Sequence, residues 1–344
     1  MKNKIVGICI CMLLITTCVV PVMGEFIALK NDDRCLKKSS TDINSLPSGT
    51  TRLKFMIAGK ALRALRSYWL HVPPSYDGSK AVPLVIVLTG TQEYDSSHPF
   101  LFFLSCAMET YTEFSEKADE EEFIVVYANS KLLLYDPLCT PIFGVEQNYD
   151  YNFGWLPSLG WKFIDDIGFI HDLIDKMEQK YTINSSRIYV TGLSAGAFMS
   201  YSIGAYLSDE VAAIAPVAGT IGGRANISEP FSYIPNPENP VSVIAFHGTD
   251  DYNVPYDESK FFVSVNTSIS FWVEHNGCDP TPEINTSESG NIIKKTYSNG
   301  SVGTEVVLYT VVDGIHGWFG SPYYPCEISC TDLIWQFFEA HPKQ

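Results

Sequence analysis

The 344-residue chain is 46% hydrophobic and 18% charged, enough apolar material for the core of one large α/β domain. Its formal net charge is −16 with no basic run, so its surface repels polyanions and argues against nucleic acid or acidic polymers as partners.

Lys2 and Lys4 precede an apolar run from Ile5 to Val20, closed by Pro21 and the small-residue ending at Gly24. This reads as a secretory signal peptide over residues 1–24, cleaved after Gly24. It predicts a secreted, extracellular chain with no stable membrane span, whose net charge becomes −18 once the two lysines are gone. An uncleaved anchor is the competing reading, but the run is short for a span of about 20 residues. Residues 25–60 have no assignable role, and residues 61–344 read as a single domain.

From Arg66, RSYWLHVPPSYDG is a strand ending in a Pro-rich turn, and PLVIVLTGTQ is a strand buried on both faces. An acidic helix end leads into a further apolar run, Phe123 to Ala128. A long aromatic stretch, Asn129 to Trp161, follows with little periodicity. DDIGFIHDLIDKMEQKYTI places Ile167, Ile170, Ile174 and Met177 at helical steps behind an acidic cap, Asp165 or Asp166. RIYVTGL is a strand, AGAFMSYSIGAYL a helix, and VAAIAPVAG and PVSVIAFHG two more buried strands. A helix ended by Gly277, the strand TEVVLYTVVDG and the helix CTDLIWQFFEAH close the chain. Strands alternating with helices predict a mostly parallel central sheet covered on both faces.

Six cysteines lie outside the leader: Cys35, Cys106, Cys139, Cys278, Cys326 and Cys330. An even number in an exported chain predicts disulfides, with Cys106–Cys139 the suggested pair because both flank one central strand. Zinc is disfavoured, since there is no CxxC pair and no HExxH. Sequons at Asn184, Asn226, Asn266, Asn285 and Asn299 suit a glycosylated secreted surface.

Gly192-Leu193-Ser194-Ala195-Gly196 is a GxSxG pattern between a buried strand and a helix. That setting gives the pattern its meaning: the turn is too tight for side chains at the glycines, and the serine is lifted above the sheet edge. A serine hydroxyl is a weak nucleophile and needs a base, and the base needs an acid to hold its tautomer. Of seven histidines, His316 in VVDGIHGWFG stands on a Gly-rich loop directly after a strand and downstream of the serine. The acid is expected in FHGTDDYNVPY, where spacing alone leaves Asp250 and Asp251 both open.

These stretches together resemble the polyhydroxybutyrate depolymerase-like and feruloyl esterase-like secreted α/β-hydrolases, related to carbohydrate esterase family 1. The resemblance covers about Arg66 to the C-terminus. It implies an α/β-hydrolase fold, a serine esterase acting through an acyl-enzyme, and no metal or organic cofactor. The family pattern HGTxDxxVPY puts the acid on Asp251, and GHxWPG falls on IHGWFG, so the catalytic set is Ser194, Asp251 and His316. The backbone N–H groups of Thr91 and Ala195 are the implied oxyanion hole. Thr89 stands where relatives carry histidine, and Ile315 and Phe319 replace the usual Gly and Pro.

Tyr149, Tyr151, Phe153, Trp155 and Trp161 of the long loop, with Tyr252 and Trp318 beside acid and base, are expected to form a wall for a sugar or phenolic ring. The implied substrates are feruloyl or acetyl esters of plant-wall saccharides, or short polyhydroxyalkanoates. The alternatives are an extracellular polyester depolymerase and a weak or inactive binding protein on the same fold.

Overall fold

A computed structural model describes residues 52–58, 64–90, 92–93, 104–130, 152–153, 165–224 and 227–344. Five short hydrophobic runs form strands β3 (Val82–Leu88), β5 (Ile124–Ala128), β8 (Ala213–Val217), β11 (Ser242–Gly248) and β14 (Val306–Val311), each buried along its whole length. Continuous burial without alternation is the mark of a strand covered on both faces. Their neighbour β7 (Ile183–Leu193) starts half-exposed and becomes buried toward its end.

These six strands pair in parallel, in the order β5-β3-β7-β8-β11-β14. Two antiparallel strands extend each flank. On one side are β1 (Arg52–Ala58) and β2 (Ala64–His71), and on the other β13 (Ile292–Tyr297) and β12 (Glu283–Thr286). Short pairs β4 (Gln92–Glu93) with β6 (Asn152–Phe153), and β9 (Gly222–Gly223) with β10 (Ser232–Tyr233), stand apart. The predicted α/β sheet is therefore present, with two corrections. The domain begins earlier than residue 61, because β1 lies within 25–60 and is zipped to β2 residue by residue; residues 51–344 form one compact unit. The β12–β13 hairpin was not anticipated.

The helices cover both faces. They are α1 (Leu104–Thr112), α2 (Phe114–Glu121), α3 (Asp166–Lys180), α4 (Ala195–Tyr206), α5 (Val265–Asn276) and α6 (Cys330–Ala340). Helix α3 starts as its sequence requires, with the Asp165 carboxylate accepting the Gly168 N–H at 2.8 Å, and buries Phe169, Ile170, Leu173, Ile174 and Met177. Its Asp166 forms a buried ion pair with Arg66 of β2. Helix α5 ends on Gly277 at φ +67°, a left-handed position that suits glycine. Among the described residues no helix is long and apolar enough to cross a membrane.

The expected pairing of cysteines is not met at three of them. Cys278, Cys326 and Cys330 are free thiols, the first and last buried. Burial pushes the Cys278 thiol up to about 11 and that of Cys330 well above its ordinary value. The leader over residues 1–24, Cys35, Cys139, the Cys106 side chain and the sequon residue Asn226 lie outside the described residues.

Candidate active site

The parallel strands all point their C-terminal ends at one rim, and the three residues singled out by the sequence follow three of those ends. Ser194 comes directly after β7, with φ 58° and ψ −119°. A non-glycine residue held there costs roughly 1–3 kcal/mol and persists only where its surroundings fix it. The fixing is visible: the Ser194 N–H donates to the Val217 carbonyl at 2.9 Å, and its own carbonyl accepts the Ala197 and Phe198 N–H groups. The flanking glycines are required by contact rather than by dihedral. A Cβ on Gly192 would lie 2.6 Å from the Gly196 carbonyl oxygen, and one on Gly196 would lie 2.3 Å from that of Leu88.

Strand β11 delivers the acid. Asp251 is 3% exposed, and its Oδ1 accepts the N–H groups of Asn253 and Val254, both at 2.9 Å. Its Oδ2 accepts from His316 Nδ1 at 2.7 Å. Asp250 points to solvent and uses its backbone N–H on the Gly314 carbonyl. Of the two neighbouring carboxylates it is Asp251, and not Asp250, that meets His316. A buried carboxylate with this many donors is compensated for its lost hydration.

Strand β14 delivers the imidazole on a loop that interlocks with the acid loop. The Thr249 N–H donates to the Val311 carbonyl and the Asp313 N–H to the Thr249 hydroxyl. A Cβ on Gly248 would sit 2.1 Å from the Gly314 carbonyl oxygen. Two tyrosine hydroxyls that the sequence did not suggest brace the other side. Tyr324 accepts the Ile315 N–H at 3.0 Å, and Tyr111 of α1 accepts the Trp318 N–H at 3.5 Å. With Nδ1 donating to Asp251, the His316 ring is oriented so that Nε2 is left to act as a base. No hydrogen bond joins Ser194 to His316 among the described residues; in free enzymes such bonds are often long and tighten on substrate binding.

Ala195 is the first residue of α4, so its N–H is one of the helix-start donors that lack an intrahelical acceptor. Gly90 passes over the serine turn, where a Cβ would lie 3.6 Å from that of Ser194. Thr91, Tyr149, Tyr151, Trp155, Trp161 and the Phe153 side chain lie outside the described residues. Thr89 is fully buried, and its hydroxyl accepts the Ser130 N–H at 3.4 Å.

The aromatic wall needs correcting at Trp318. It is fully buried, its indole N–H donates to the Thr331 hydroxyl at 3.0 Å, and its ring meets Phe114 edge-on. It packs α6 against α2 and offers no face to a ligand. Phe319 is likewise buried, edge-on to Tyr324. Tyr252 is 84% exposed beside the acid. On the other side of the base loop Tyr111 stacks on Tyr323, ring centres 5.7 Å apart, and Tyr323 is well exposed.

Residues 162–292 match the Phospholipase/Carboxylesterase family profile. Feruloyl esterase B of Piromyces equi is 30% identical over 167 residues, covering 44% of this chain and 29% of that protein. Poly(3-hydroxyalkanoate) depolymerase C of Paucimonas lemoignei is 27% identical over 172 residues, 43% of this chain and 39% of that one. The chain therefore spans well under half the length of these relatives. The solved structure of an acetyl xylan esterase from Aspergillus awamori superposes with a TM-score of 0.54 at 12% identity, over 84% of this chain and 99% of that one. The chain has the α/β-hydrolase fold and is related to the feruloyl esterases and polyhydroxyalkanoate depolymerases.

Proposed function

We propose that this chain is an exported serine esterase that hydrolyses carboxylic esters through an acyl-enzyme. The observation that carries the reading is the bond between buried Asp251 and half-buried His316 at the same rim as the strained Ser194 turn. In this scheme Ser194 Oγ attacks the ester carbonyl while His316 Nε2 takes its proton. Asp251 holds the ring and stabilises the imidazolium that forms. The Ala195 N–H, with that of Thr91, receives the oxyanion. The tetrahedral intermediate collapses as His316 protonates the departing alcohol. Water, deprotonated by the same nitrogen, then releases the acid and restores the serine.

For the substrate we propose feruloyl or acetyl esters carried on plant-wall saccharides. The names of the relatives support this class, and the exposed Tyr252 and Tyr323 offer aromatic surface near the base. The depolymerase relative supports a second reading, cleavage of hydroxyalkanoate polyesters. Methyl ferulate, acetylated xylan, p-nitrophenyl esters and hydroxybutyrate oligomers, tested on one purified sample, separate the two. A Ser194→Ala variant that still hydrolyses p-nitrophenyl acetate refutes the nucleophile. Failure of a fluorophosphonate to label Ser194 would point instead to a binding protein on this fold.

A further inference from the structure

His247, the last residue but one of β11, has no part in the scheme above, yet it is the buried imidazole nearest the acid. Its side chain is 2% exposed. Its Nε2 lies 2.7 Å from the Val254 carbonyl oxygen. A carbonyl oxygen can only accept, so Nε2 carries the proton. Val254 is also the residue whose N–H donates to Asp251 Oδ1, so the histidine closes the 251–254 turn that grips the carboxylate. The same Nε2 stands 3.5 Å from Asp251 Oδ2, the oxygen that accepts from His316.

We propose that His247 is a positioning residue for the acid: as a neutral Nε2–H imidazole it locks the Asp251 turn and turns a dipole, but no charge, toward Oδ2. The claim rests on the reading of Asp251 as the acid that orients His316. A charged ring in this place would be a second cation on the carboxylate and would compete with the imidazolium that Asp251 must stabilise. The surroundings keep it uncharged. Burial lowers its proton affinity, and a charge on His316 lowers it further, against the opposing pull of the Val254 carbonyl and of Asp251. Tyr256 meets the ring edge-on at 5.9 Å and spends its hydroxyl on Thr310 of β14, the strand residue paired with His247. No other charged group appears among those contacts.

Two variants separate this role from simple packing. In His247→Gln the amide can place an N–H near the lost Nε2, whereas His247→Phe keeps a ring of similar bulk with no donor. The expected result is a fall of about 10–100-fold in kcat for the Phe variant with KM little changed, the size associated with a slightly misplaced catalytic group. The Gln variant should stay within a few-fold of the parent. Full activity in Phe with loss in Gln would mean that volume alone matters, and would overturn the proposal.

Should either variant fold poorly, imidazole nitrogen NMR of the unmodified protein decides the matter. His247 should be the neutral Nε2–H tautomer at neutral pH. A protonated ring at neutral pH, or a proton on Nδ1, would overturn it. That spectrum needs no substrate, so it stands apart from the Ser194→Ala assay and the fluorophosphonate labelling, which judge the ester reading.

Discussion

Imidazole–carboxylate pairs stand at both ends of the parallel strands, and the pair at His316 is held very differently from the pair at His341. At the C-terminal rim His316 and Asp251 are 2.7 Å apart, and the aspartate side chain is wholly buried and locked by two backbone N–H groups. At the opposite rim His341 Nε2 lies 3.4 Å from Glu305, whose side chain is 34% exposed and takes a bond from Ser298. That rim also holds a hollow of about 280 Å³ lined by Ser208, Asn239, His341 and Lys343 among others. Its polar groups are spent on the chain itself. Ser208 accepts the Asn239 N–H, Lys343 Nζ donates to the Asp209 carbonyl, and His341 Nδ1 bonds the Phe337 carbonyl. Space and a histidine are thus present without a strained nucleophile or a fixed carboxylate. In a parallel sheet it is strand direction, more than the size of a hollow, that decides where a site can be assembled.

The largest blow to this contrast should come from Ser194→Ala, which is expected to lower ester turnover by on the order of 10⁵-fold while the unfolding midpoint stays put. Asp251→Asn should follow at roughly 10⁴-fold in kcat, because the amide presents the wrong partner to Nδ1. At Gly196→Ala the new methyl meets the Leu88 carbonyl, so thermal unfolding should report a loss of about 1–3 kcal/mol together with reduced turnover. Tyr324→Phe removes the acceptor for the Ile315 N–H and should cost about 1 kcal/mol, read as a several-fold drop in kcat with KM nearly constant. At the far rim, Glu305→Gln and Lys343→Ala should leave kcat/KM unchanged and shift stability by no more than about 0.5 kcal/mol. A far-rim variant that disabled hydrolysis would break the comparison outright.

Much of this arrangement was legible in the sequence, because its parts are short and local. The Ser194 turn is announced by two glycines at fixed offsets, and the contacts at Gly192 and Gly196 show why nothing larger fits. His316 was isolated by position alone, since the other histidines fall in strands, helices, an upstream loop or the tail. Asp251 could not be told from Asp250 by spacing. The resemblance pointed to Asp251, and the folded turn gives the physical difference: its carboxylate turns inward to three donors while that of Asp250 faces water. Trp318 misled because closeness in sequence to His316 says nothing of side-chain direction; its indole is claimed by Thr331, on a helix further along the chain. Tyr111 offered no signal at all, for its hydroxyl reaches the base loop across more than 200 residues. Strand β1 was not readable, because its apolar alternation points the wrong way: Ile57 is 61% exposed, whereas Met56 and Ala58 pack on the core.

The abutment of Gly248 on Gly314 has a consequence for loop engineering. Because the two backbones touch, an insertion in either loop displaces its counterpart, so the loops that carry Asp251 and His316 can change length only together.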